Sequence, residues 1–163
     1  MDVKQIAPDD AHLLMPLLLD LHALHVTHQP ARYPANPDPD DLLDWLTRWL
    51  RTEGVHALGA QSPTGAVMGY LIYEIETRPT HPLSFGGCRA MVHHVAVAPS
   101  FRRIGIGKAM MTHMRNAALA RGADHIAASY APFNAASAGL MAAMGLTPVV
   151  TLAEWRAPSD GSA

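Results

Sequence analysis

The chain has 163 residues, 49% of them hydrophobic, which suits one compact core and leaves no room for a second catalytic domain. A formal charge of -2 offers no basic field to a nucleic-acid backbone, and the single cysteine, Cys88, excludes an internal disulfide or a thiolate zinc cluster. The opening Met1-Asp2-Val3-Lys4 lacks the marks of a secretion signal, and the apolar stretch 13–26 is broken by Pro16, Asp20, His22 and His25, so a soluble cytoplasmic protein is expected.

Residues 3–6 read as a short first strand. Asp9 and Asp10 can start a helix on which Leu14, Leu17, Leu18, Leu21 and Leu24 recur at helical spacing, with Pro16 kinking it or delaying its regular part. Prolines at 30, 34, 37 and 39 make the next segment irregular. Asp38 before Pro39 then caps a second helix that buries Leu42, Leu46, Trp49 and Leu50. From residue 55 the period changes to that of strands: 55–60 and 66–76 flank the turn Ser62-Pro63-Thr64-Gly65 as an antiparallel hairpin. A loop over 78–87 leads to a third long strand, 89–98. Met110, Met111, Met114, Ala117 and Ala118 mark a helix over 108–121 that Gly122 stops. A strand over 126–130 and a helix over 135–144, closed by Gly145, follow. Val149, Val150, Leu152 and Trp155 give 147–157 the pattern of one or two final strands, so one domain over 1–157 with a flexible tail over 158–163 is expected.

The chemistry concentrates where the strand Val92-His93-His94-Val95-Ala96-Val97 runs through Ala98-Pro99-Ser100-Phe101 into Arg102-Arg103-Ile104-Gly105-Ile106-Gly107-Lys108 at a helix start. The first N–H groups of a helix have no intrahelical acceptor, so a glycine-containing strand-to-helix junction is an anion site, and three cations around it favour a phosphate. A nucleotide P-loop would need glycine at Arg102 and serine or threonine at Ala109, and a dinucleotide fingerprint would need a third glycine at Met110. What remains, Arg102-x-x-Gly105-x-Gly107 after a Val-x-Val-x-Pro strand, resembles the coenzyme A pyrophosphate loop of the GNAT family of N-acetyltransferases. Asn134, Ser137, Met141 and Gly145-Leu146 also follow the spacing of that family's closing helix.

The resemblance implies an α+β fold, a central twisted mixed sheet flanked by helices, with acetyl-CoA held where strands 89–98 and 125–130 splay apart. It assigns the pyrophosphate to Arg102, Arg103, Ile104, Gly105, Ile106, Gly107 and Lys108. The backbone of Val95, Ala96 and Val97 would hold the pantetheine arm and the oxyanion, with Asn134 near the same arm. The implied reaction is direct acetyl transfer to the amine of a small molecule. In this family the base commonly lies on the strand before the phosphate loop; the matching position is His93, and imidazole titrates near neutrality. His94 points to the opposite face of a regular strand unless a bulge exchanges the two, and Glu74 and Glu76 are further candidates. Met141 stands where members usually carry a tyrosine acid and should therefore face the thiol; Tyr130 and Ser137 are candidate substitutes. His22, His25 and His28 lack cysteine support for a metal, none of which is expected, and fall where the family builds its acceptor pocket. The rival readings are a non-catalytic acyl-CoA-binding sensor or interaction module, which Met141 favours, and acetylation of protein N-termini or lysines. The expected partners are a small-molecule amine, neither nucleic acid nor membrane, and, as an allowed state, a second copy of the chain.

Overall fold

Strand pairing in the computed structural model, which describes residues 1–158, follows chain order. β1 (Asp2–Ile6) lies antiparallel to β2 (Val55–Gln61), β2 to β3 (Val67–Arg78), and β3 to β4 (Gly87–Val97). β5 (His125–Ala128) is parallel to β4, which demands a crossover, and α3 (Ile106–Ala120) supplies it.

The helix starts obey local chemistry. Pro16 delays the first one: residues Pro8–Leu14 form a 3-10 helix, and only then does α1 (Met15–His28) begin, with the proline in its first turn where a missing N–H costs nothing. α2 (Pro39–Leu50) is capped as expected, the Asp38 carboxylate accepting from the N–H groups of Asp40 at 2.9 Å and Asp41 at 3.0 Å. α4 (Ala135–Ala143) ends with the Gly145 N–H donating to Ala142 and the Leu146 N–H to Met141, both at 3.0 Å, which folds Leu146 back onto the core.

Both faces of the sheet are covered. On one, α3 and α4 bring Met110, Met111, Met114 and Met141 against Leu71, Tyr73, Ala90 and Val92. On the other, α1 and α2 bring Leu17, Leu18, Leu46 and Leu50 against Ala57, Tyr70 and Ile72. Two expectations fail here. β5 stops at Ala128, leaving Tyr130 outside the strand. The final strands over 147–157 do not form: that segment has no strand partner among the described residues, and Val149, Val150, Leu152 and Trp155 are 75% to 87% exposed. A strand pattern becomes a strand only where an edge receives its hydrogen bonds, and this tail meets none within its own chain. Residues 159–163 of the expected flexible tail lie outside the described residues.

Candidate active site

β3 and β4 pair regularly from Arg78 opposite Gly87 to Tyr73 opposite Val92; the register then shifts and resumes with Ile72 opposite His94. His93 is the extra residue of a bulge. Ala90 and Val92 before it pack on the α3 side, and so do Val95 and Val97 after it, so the bulge reverses the parity of the strand. His93 and His94 consequently both turn toward α2, where Trp49 meets their rings edge-on at centroid distances of 5.5 and 5.3 Å. This corrects the regular-strand expectation that His94 points away.

The two imidazoles are set up differently. His93 Nε2 donates to Glu74 Oε2 of β3 at 3.0 Å, which leaves Nδ1 with a free lone pair on a partly exposed side chain. Glu76 is held by Arg89 at 2.6 Å. Glu74, Glu76 and His93 bring their donor atoms within 4.8 Å of one another, but Arg89 already provides the countercharge that a metal would. His94 Nδ1 lies 3.4 Å from the hydroxyl of Tyr70, whose burial raises its pKa and so keeps its proton available to donate. Burial above all, then the neighbouring His93 and His25, push His94 down to about 4. His94 is thus neutral at pH 7 and a weak proton acceptor, suited to positioning.

Pairing between β4 and β5 ends at Val92 opposite Ala128, so the strands part from His93 onward, as the resemblance implies, and β4 leaves its 93–97 edge open on that side. The first intrahelical bond of α3 runs from the Ala109 N–H to the Gly105 carbonyl at 2.9 Å, leaving the N–H groups of Ile106, Gly107 and Lys108 at the helix start without helical acceptors. Gly105 has φ 89°, a left-handed conformation that a side chain resists, although a Cβ there would meet no atom. A Cβ at Gly107 would lie 3.2 Å from Leu140 of α4, so a small residue there also suits the packing of the two helices. Arg103 and Lys108 are exposed beside the junction, whereas Arg102 spends its Nε on the Val97 carbonyl at 3.0 Å and clamps the strand end.

The closing helix departs from expectation. Met141 is 2% exposed among the α3 methionines, so it is a core residue; the resemblance aimed it at the thiol, and the helix rotation buries it. Asn134 caps α4, its Oδ1 accepting from the Ser137 N–H at 3.0 Å, which commits part of the side chain expected at the pantetheine arm. Tyr130 is 37% exposed, with no hydrogen bond from its hydroxyl to either histidine among the described residues.

A second group of rings gathers at the end of α1, with its His25 near enough to act electrostatically on His94. His25 meets Tyr33 and Phe133 edge-on at 5.2 and 5.4 Å, and His28 stacks on Phe133 at 4.1 Å. Each histidine of α1 is anchored to a carbonyl: His22 to Pro34 at 2.6 Å, His25 to Leu21 at 2.8 Å, His28 to Leu24 at 3.0 Å. Trp49 and Tyr70 escaped sequence reasoning as site residues because an aromatic in a helix or strand reads as core, and Tyr33 and Phe133 because they stand in the connections after α1 and β5; only the fold sets their rings against histidines.

Residues 18–146 match the profile of the acetyltransferase (GNAT) family. No curated protein sequence matches the chain. Among solved structures, a mutant of the BH1408 protein from Bacillus halodurans is similar with TM-score 0.85 at 16% identity, covering 97% of this chain and 100% of that one. Ribosomal-protein-alanine N-acetyltransferase from Brucella melitensis biovar Abortus 2308 is similar at TM-score 0.71 and 20% identity, with 96% and 99% covered. AAC(6')-Iy in complex with a bisubstrate analog, CoA-S-monomethyl-acetylneamine, gives TM-score 0.73 and 18% identity, with 96% and 97% covered. At these identities the structures establish a shared fold, while the profile match runs from α1 past the α4 cap and encloses the histidine pair, the parted strands and the glycine junction. The chain belongs to the GNAT family of acetyltransferases.

Proposed function

We propose that the protein moves an acetyl group from acetyl-CoA to the amine of a small molecule by direct attack, with His93 as the proton acceptor. The observation that carries this reading is the His93–Glu74 pair, turned by the bulge to the face of β4 where the strands begin to part. The residues fit the nucleotide: free helical N–H groups at 106–108 and the exposed Arg103 and Lys108 suit its pyrophosphate, and the open edge of Val95, Ala96 and Val97 suits a pantetheine arm. When bound, acetyl-CoA supplies an activated thioester whose thiol, of ordinary pKa about 8.5, leaves without a dedicated acid.

The chain's own residues do the rest. An amine arrives as an ammonium ion and must lose a proton before its nitrogen can attack; His93 Nδ1 accepts it while the Nε2–H bond to Glu74 holds the ring in place. His94, kept neutral, offers Nε2–H to the acceptor side while Tyr70 holds its other nitrogen. Trp49, Tyr33 and Phe133 give an organic amine a wall to pack on and exclude water. Cys88, packed against the α3-side core, takes no part, so no covalent enzyme intermediate is needed.

Release of free thiol from acetyl-CoA in the presence of a panel of amines, aminoglycosides and peptides with free N-termini or lysines tests the proposal. Acceptor-dependent release with one or more small amines is the expected result. Binding of coenzyme A with no release on any acceptor would instead mark an acyl-CoA-binding module, and release on peptides alone would move the acceptor class to proteins.

A further inference from the structure

Trp45 and Trp49 stand four residues apart on α2 and so share one face of it, beside the face that buries Leu46 and Leu50. Trp49 packs against the core and meets the rings of both His93 and His94 edge-on. Trp45, one turn nearer the start of the helix, is 45% exposed, and its ring lies 5.2 Å from that of Trp49 at an angle of 32°. A lone exposed apolar side chain needs no explanation, but this one prolongs a surface of rings that begins at the histidine pair. The two indoles form a flat apolar strip leading from the proton acceptor toward the start of α2.

The charges beside the strip narrow what can lie on it. The fold brings two carboxylates to His93, and both are engaged: Glu74 with His93 at 3.0 Å and Glu76 with Arg89 at 2.6 Å. On α2, Asp44 pairs with Arg48 at 3.1 Å, and Asp41, on the face of the two indoles, stands a further turn beyond Trp45. A substrate with several ammonium groups would leave its next cation over the indoles with no carboxylate beside it. An exposed indole attracts a cation weakly, whereas two adjacent indoles offer another ring both apolar contact and a stacking geometry. We infer that the acceptor is a primary amine joined by a short alkyl chain to an aromatic ring, and that Trp45 sets this specificity by holding that ring beside Trp49 while the amine reaches His93. The inference rests on the transfer reading above and gives its acceptor a chemical class. Trp45 acts on the ring and not on the reacting atoms, so it should govern affinity and not the chemical step.

Thiol release from acetyl-CoA with 2-phenylethylamine, n-propylamine and spermidine tests this, together with calorimetry of each amine on the protein saturated with coenzyme A. 2-Phenylethylamine should exceed both others about tenfold or more in kcat/KM and bind correspondingly more tightly. Trp45→Ala, at an exposed side chain whose loss opens no core cavity, should raise KM for 2-phenylethylamine about tenfold with kcat little changed, and Trp45→Phe, which keeps a ring, should restore most of the affinity. An equal or greater kcat/KM for n-propylamine or spermidine overturns the inference, as does a Trp45→Ala variant that keeps the wild-type preference. Absence of release with every amine would refute transfer itself, and calorimetry then decides the ring site separately. Tighter binding of 2-phenylethylamine that is lost in Trp45→Ala upholds it; equal binding of the three amines, or a preference indifferent to Trp45, overturns it.

Discussion

β4 shows two unlike faces from one run of residues. Toward α3 it sets Ala90, Val92, Val95 and Val97 against a closed layer of methionines; toward α2 it sets His93 and His94 beside Trp49, Tyr70 and Glu74. A single extra residue makes the difference. Without the bulge, strand alternation would send one imidazole into the methionine layer, where a polar ring without a partner costs roughly 1–3 kcal/mol. The lesson is that the candidate chemical groups of β4 lie on one face only, so a substitution in the methionine layer should cost stability and leave the reaction nearly untouched.

The largest effect is expected on the histidine face. His93→Gln, which keeps hydrogen bonding but not proton acceptance, should lower turnover roughly 10² to 10⁴-fold, while calorimetry finds coenzyme A affinity nearly unchanged. Met114→Ala on the other face, at a side chain with 0% exposure, should cost about 2–5 kcal/mol in urea denaturation and leave turnover per folded molecule close to wild type. Loss of turnover as large as that of His93→Gln would break the division.

The buried histidine ties the chemical face to stability through pH. His94 sits at about 4 in the folded chain against an ordinary 6.5, so between those values the unfolded chain binds a proton that the folded chain refuses. Its stabilisation is whole above about 6.5 and declines as pH falls toward about 4, by on the order of 3 kcal/mol. His94→Gln should therefore lose less stability than wild type when urea unfolding is compared at pH 7 and pH 4. The smallest effect belongs to the junction: Gly105→Ala places a Cβ at φ 89°, costing roughly 1–2 kcal/mol, and thermal melting with and without coenzyme A should show less stabilisation by the ligand than in wild type.

Much of the scaffold could be read from local chemistry, because caps and glycines act within a few residues. Asp38-Pro39 started α2 and Gly145 closed α4, whereas the parted strands came only from the family resemblance that the strand-to-helix motif carries. A bulge stood as the alternative to regular alternation, but neither its place nor its outcome, both histidines on one face, could be read, since nothing around His93-His94 marks where the register with β3 slips. Met141 was misjudged because spacing fixes a residue's place along a helix but not the rotation that buries it. The tail 147–157 was given strands because the pattern is present, while its pairing depends on an edge that sequence alone cannot supply.

The assignment of His93 is tested most directly by turnover against pH at saturating acetyl-CoA and amine, for wild type, His93→Gln and His94→Gln. Wild type and His94→Gln should share a limb that rises with pH, and His93→Gln should show a low rate without that limb. A limb retained at wild-type height in His93→Gln, or lost in His94→Gln alone, would contradict the assignment.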